Sequence, residues 1–223
     1  SRFGTVVPTI RFEAAGVGRR LQPTTLSLDE RRIGIIGSNG SGKSTLARLV
    51  NGLVTATTGR VLVDDLDVAR AGAKVRRRVG FVFTDPASQV VMPTCVEDVE
   101  LSLRRHESNA RRRRERAVSV LERFGLGELA DRSVHALSGG QRQLLAIAGV
   151  LATDPEVVVA DEPTTLLDLA NTRRVADELF ALEQQLVLVT HDLELVTRCD
   201  RVLVVDSGMV SFDGDAQAAV AHY

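Results

Sequence analysis

Gly37-Ser38-Asn39-Gly40-Ser41-Gly42-Lys43-Ser44-Thr45 follows the β-branched run Ile33 to Ile36 and opens a stretch with helical spacing. Two glycines, a lysine and a hydroxyl residue in this order, between a strand and a helix, form a phosphate loop. Glycine lets the backbone curl until successive N–H groups face inward. The following helix adds the positive end of its dipole, so the segment is suited to holding an anion. Lys43 is placed to meet the β and γ phosphates. The Ser44 hydroxyl is the expected ligand of Mg²⁺, a hard cation that shares oxygen donors with the phosphates in near-octahedral geometry. A plain glycine turn is the competing reading, and the strand and helix around the loop count against it.

Further along, Val157-Val158-Val159-Ala160 ends in Asp161-Glu162. At the end of a parallel strand, that pair lies on the edge where ligands bind. Alternation separates their roles: Asp161 is the Mg²⁺ partner, through water, and Glu162 faces the γ phosphate and orients or deprotonates the attacking water. An acidic strand end is weak evidence alone and strong beside a phosphate loop. Strand-length runs recur at Ile33 to Ile36, Val79 to Phe83, Val157 to Ala160, Leu186 to Thr190 and Val202 to Val205, most followed by helical spacing. This predicts an α/β fold with a largely parallel sheet, a P-loop NTPase. Val6, Val7, Ile10 and Phe12, then Leu26 and Leu28, predict a strand-rich edge in front of that core. Between about Asp85 and Ala136 the apolar residues Val118, Leu121 and Phe124 keep helical spacing without a strand. The expected organisation is one domain over 1–223, with a core of 1–84 and 137–223 and an inserted helical lobe at 85–136.

Composition sets outer limits. The chain has 223 residues, a net charge of -1, 44% hydrophobic residues and 26% charged residues, which are ordinary values for a globular domain and give nucleic acid no support. The longest apolar runs are strand-length, so membrane contact is expected only through partners. No leader is expected over Ser1 to Ile10. Cys95 and Cys199 are isolated, without metal or disulfide spacing, which fits a reducing compartment. The run Arg111, Arg112, Arg113, Arg114 and Arg116 reads as a solvated helix face beside Glu107, Glu115 and Glu122, against the alternative of a lipid or nucleic-acid patch. His106, His135 and His222 read as surface or packing residues.

Leu137-Ser138-Gly139-Gly140-Gln141, opening an apparent helix, is where the chain resembles the ABC ATPase family, over nearly its whole length. The resemblance implies that Ser138, Gly139, Gly140 and Gln141 are a signature that meets the γ phosphate held by the phosphate loop of an opposing subunit. A complete site then needs two chains, with a homodimer preferred to a heterodimer. Pro163 to Asp168 resembles the family's D-loop at the dimer seam, with Asp168 its acid. Thr190-His191-Asp192 resembles the switch-histidine segment; His191, which alone could equally be a packed strand-end residue, is then the hydrogen bond to the γ phosphate. MgATP is the implied substrate, hydrolysed to ADP and phosphate and coupled to transport through separate integral membrane subunits, on the cytoplasmic face of a prokaryotic membrane.

Asn51-Gly52-Leu53, Asp85-Pro86 with Gln89, and Val96-Glu97-Asp98-Val99 resemble the ATPases of energy-coupling factor importers, which energise uptake of vitamins or transition-metal ions. The end at Tyr223 resembles their short version, associated with biotin. The alternatives are an ATPase of another ABC transporter class and a soluble non-transport ABC ATPase, which would carry a long coiled coil or a second ATPase domain. A small-molecule kinase would leave the signature unexplained. Three positions depart from the family pattern: Thr84 stands at the Q-loop position of a glutamine, Ala14 near that of the adenine-stacking aromatic, two residues past Phe12, and Leu166 at that of a small D-loop residue.

Overall fold

The computed structural model describes residues 6–223, so the leader expectation at the start of the chain lies partly outside the described residues. In chain order the strands are β1 Ile10–Val17, β2 Leu21–Leu28, β3 Arg32–Ile36, β4 Thr58–Val63, β5 Leu66–Asp67, β6 Val79–Val82, β7 Val157–Asp161, β8 Gln185–Val189, β9 Arg201–Asp206 and β10 Met209–Gly214. The helices are α1 Lys43–Leu49, α2 Gly72–Arg78, α3 Cys95–Leu103, α4 Ala110–Arg123, α5 Gly139–Ala152, α6 Leu169–Phe180, α7 Leu193–Val196 and α8 Ala216–His222. The described residues form two compact units: residues 6–81, 156–162 and 182–223, and residues 82–155 and 163–181.

The first unit is built on a sheet in the order β10-β9-β3-β8-β7-β6. β9, β3, β8 and β7 run parallel to one another, and β10 returns antiparallel to β9. Every residue of β7 and β8 is buried, as expected of parallel strands covered on both faces, and each such Val or Leu contributes about 1.5–3 kcal/mol. Register aligns Ile35 and Asp161 with Val189, so β3, β8 and β7 end together at one edge. The loops that leave this edge are the phosphate loop, His191 and Glu162.

The strand-rich edge is a separate sheet ordered β2-β1-β4-β5. Two of its strands come from residues 58–67, after the phosphate loop, and these carry no local signal. Val6 and Val7 precede β1 outside any strand, and Val6 is exposed. Phe12 is fully buried and is a core residue. Its neighbour Ala14 is exposed in a bulge of β1, with φ 48° and its N–H donated to Thr25 Oγ1 at 2.9 Å.

The second unit is helical among the described residues, with short 3₁₀ turns at Pro86–Ser88, Gly127–Leu129 and Val134–Ala136. α3, α4 and α5 pack on one another, and α5 also packs on α6. The arginine run lies on α4 and is largely paired with its surroundings. Arg111 meets Glu115 at 3.1 Å, Arg114 meets Asp131 at 2.9 Å, and Arg116 donates to the Ala152 carbonyl at 3.2 Å. Among the described residues, no helix is long and apolar enough to cross a membrane.

Candidate functional site

The phosphate loop joins β3 to α1, and close packing dictates two of its glycines, Gly37 and Gly42. A Cβ on Gly37 would lie 2.3 Å from the Val205 carbonyl oxygen. Gly42, the residue before α1, has φ 102°, and a Cβ there would lie 2.6 Å from the Arg20 carbonyl oxygen. Ser38, Asn39 and Gly40 form the exposed crest, while Ser41 is buried and its hydroxyl has no hydrogen-bond partner. Lys43 is almost wholly buried at the first position of α1. Its Nζ donates to the Ser38 carbonyl at 3.2 Å and lies 3.7 Å from Glu162 Oε1. Ser44 Oγ donates to Asp161 Oδ1 at 3.0 Å, and Thr45 follows half-buried.

The two acidic residues have different partners. Asp161 is the last residue of β7 and 2% exposed, and its second oxygen lies 3.2 Å from the guanidinium of Arg48, one turn after Ser44 on α1. Arg48 carries no signal in the sequence, since a basic residue late in a helix is ordinary. Glu162 leaves the strand with φ 47°, held by its N–H donated to the Val189 carbonyl at 2.8 Å. His191 Nδ1 lies 3.1 Å from Glu162 Oε1. Thr190 anchors that segment, with its N–H on the Ile35 carbonyl and its hydroxyl accepting from the Asp192 N–H. Lys43, Glu162 and His191 therefore form one chain of polar contacts. Ser44 and Asp161 beside it are hard oxygen donors of the kind Mg²⁺ takes, and they fit that ion.

In the second unit, Ser138 caps α5 and shares a capping box with Gln141: the Gln141 N–H donates to Ser138 Oγ at 3.2 Å, and the Ser138 N–H to Gln141 Oε1 at 2.9 Å. Both side chains thus serve their own helix. Gly139 and Gly140 differ. A Cβ on Gly140 would lie 2.2 Å from Asn171 Oδ1, whereas one on Gly139 would meet only Leu167 Cδ2, at 3.7 Å. Asp168 caps α6 through the Asn171 N–H at 2.8 Å, and Leu166 is exposed. Thr84 is half-buried, directly after Phe83, whose N–H donates to Gln89 Oε1 at 2.9 Å. Gln89 thus binds back toward the strand end and braces the residue before Thr84.

Two further groups are shifted by burial. Asp98, on α3, is buried and accepts the N–H groups of Val91 and Met92 at 2.8 and 3.0 Å; burial pushes its carboxyl above the ordinary range. Both thiols are buried, and burial raises them, Cys199 to about 12. Among the described residues, no three His, Cys, Asp or Glu side chains are grouped to hold a metal by themselves.

Residues 21–165 match the family described as ABC transporter. Over 218 residues the chain is 44% identical to the biotin transport ATP-binding protein BioM of Rhizobium etli, covering 96% of this chain and 97% of that one. It is 41% identical over 188 residues to the energy-coupling factor transporter ATP-binding protein EcfA1 of Caldanaerobacter subterraneus, covering 82% and 68%. Among solved structures, cbiO1 of Clostridium perfringens, part of the ABC transporter complex cbiONQ, gives a TM-score of 0.85 at 30% identity, covering 95% of this chain and 90% of that one.

Proposed function

This chain belongs to the ABC transporter family as an ATP-binding subunit, and we propose that it drives an energy-coupling factor importer whose cargo is biotin. It hydrolyses ATP in coupling to transport, and ABC ATPases of this kind work as dimers with membrane subunits. The observation that carries the hydrolytic reading is the linkage of Lys43, Glu162 and His191, with Ser44 and Asp161 alongside, at the common edge of β3, β8 and β7. The importer reading rests on likeness to BioM over almost all of both chains, and on the residues around Asn51, Asp85 and Asp98.

In this reading one domain spans 1–223, with 85–136 its inserted lobe. The phosphate loop holds ATP, and Lys43 turns its ammonium from Glu162 to the β and γ phosphates. Ser44, and Asp161 through water, would hold Mg²⁺, which would neutralise phosphate charge when bound. Glu162 takes the proton of the attacking water. His191 steadies Glu162 through Nδ1, which leaves Nε2 for the γ phosphate. The second copy of the chain supplies the α5 end, Gly139 and Gly140, to the far side of that phosphate, and Asp168 lies at the seam. The pair sits on the cytoplasmic face of the membrane through its integral partners.

Uptake by cells carrying the native transporter tests the cargo. Glu162→Gln in this chain should abolish accumulation of labelled biotin and leave labelled Ni²⁺ and Co²⁺ uptake unchanged. Loss of metal uptake instead would replace biotin as the cargo, and unchanged biotin uptake would overturn the biotin reading.

A further inference from the structure

Gln143 lies two residues beyond the signature on α5 and is fully buried. Its Nε2 donates to two carbonyl oxygens, those of Phe83 at 3.0 Å and Pro163 at 2.9 Å. Both partners are obligate acceptors, so the amide orientation follows from the contacts. The first carbonyl belongs to the peptide that joins Phe83 to Thr84. The second belongs to the peptide directly after Glu162-Pro163, where the stretch to Asp168 begins. One side-chain nitrogen thus gathers segments 60 and 20 residues away onto the signature helix. Phe83 is held from both sides, its N–H by Gln89 and its carbonyl by Gln143. The remaining oxygen of Gln143 is buried without a hydrogen-bond partner. An apolar side chain of similar length would fill the space without that orphan. The amide is therefore explained by the two carbonyls it holds and not by filling the core.

From this we infer that Gln143 is a positioning residue for hydrolysis: it fixes the Thr84 segment and the segment after Glu162 to the helix whose amino end receives the partner's nucleotide. The inference rests on the proposed roles of Thr84, Glu162 and α5. Movement of α5 on engaging a partner's phosphate then reaches both segments through two hydrogen bonds. Because Gln143 itself touches neither nucleotide nor water, its loss acts on turnover and not on ATP affinity.

The test is steady-state hydrolysis of MgATP by the purified full chain in four forms: unmodified, Gln143→Met, Gln143→Asn and Glu162→Gln. Methionine keeps the length of the side chain and removes both donors, while asparagine keeps the amide but is one methylene too short to reach both carbonyls. Gln143→Met should lower kcat roughly 10- to 10²-fold, the scale of misplaced catalytic geometry, and leave KM within about twofold. Gln143→Asn should fall between it and the unmodified chain, and it decides the question by the same readouts if the methionine variant does not fold. Unchanged kcat in a folded variant would overturn the inference, and so would a parallel loss of kcat and ATP affinity, the mark of a merely structural role. Equal turnover by the unmodified chain and Glu162→Gln would sink the hydrolytic reading itself, whatever Gln143 does.

Discussion

The phosphate loop and the amino end of α5 are both glycine-rich entries to a helix, yet they are finished to different degrees. At the loop, Lys43 meets Glu162 and Arg48 meets Asp161, so each acid has a cation of its own chain beside it, and His191 and Ser44 add one contact to each. At α5, Ser138 and Gln141 cap their own helix, and the space beside Gly139 holds little but the edge of Leu167. The first region carries its own charged counterparts, while at the second Gly139 has only the edge of Leu167 beside it. Glycine therefore means different things in the two places. Gly37, Gly42 and Gly140 are small because the fold presses on them, and Gly139 is small with no such pressure.

The strongest way to break this contrast is at the finished region. Glu162→Gln should leave ATP binding intact and cut turnover by roughly 10² to 10⁴, the loss expected for a positioned base. It should also trap MgATP between two chains. Size-exclusion chromatography showing only monomer with MgATP would contradict the shared site.

A carboxylate placed at the unfinished region should act only where two chains meet. Gly139→Asp should lower turnover by roughly 10²-fold or more, as a misplaced charge at a developing anion does. ATP affinity of the single chain, measured by calorimetry, should not change. Lys43→Ala should instead weaken that affinity by about 1.5–3 kcal/mol, a charged hydrogen bond. Equal affinity losses in the two variants would erase the distinction.

The two adjacent glycines sharpen the contrast at the level of folding. Gly140→Ala must push Asn171 aside, so thermal denaturation should show about 1–3 kcal/mol of lost stability, the usual effect of overpacking. Gly139→Ala should stay within about 0.5 kcal/mol of the unmodified chain.

The smallest effect separates two buried carboxylates, Asp161 with its cation Arg48 and Asp98 with backbone N–H partners. Burial raises the folded-state pKa of Asp98, so the native state holds its proton to a higher pH than the unfolded chain does. The stability linked to that proton is present at low pH and is lost as pH rises through the raised value. Asp98→Asn keeps an acceptor and removes the charge. Its stability relative to the unmodified chain should improve from acid to neutral pH in paired melting curves, and a flat or opposite trend would refute the assignment.

Local pattern made some of this legible and topology hid the rest. The strands at Ile33, Val157, Leu186 and Val202 could be read because both faces are covered and the runs are uniformly apolar. β10 could not, since none of its residues in the pattern Met209 to Gly214 is fully buried. β4 and β5 join β1 and β2 across about forty residues, a pairing that periodicity does not encode. The same division holds at the site. Lys43, Ser44, Asp161 and Glu162 announce themselves because phosphate chemistry demands those types at those spacings. Arg48 and Gln143 do not, because each is an ordinary helix residue whose importance lies in what folds against it. The departure at Ala14 is matched by an exposed bulge in β1, and Phe12 nearby is committed to the core.

The two buried thiols have a practical consequence. Thiol reagents attack the thiolate, and burial both shields Cys95 and Cys199 and raises them, Cys199 to about 12, so the folded chain is close to silent toward maleimides at neutral pH. The native protein is thus already a background for site-directed labelling. A single reporter thiol introduced as Leu166→Cys, on an exposed residue of the proposed seam, would carry nearly all the reactivity. Its crosslinking rate would then follow the approach of two chains in real time, without first stripping the natural cysteines from the core.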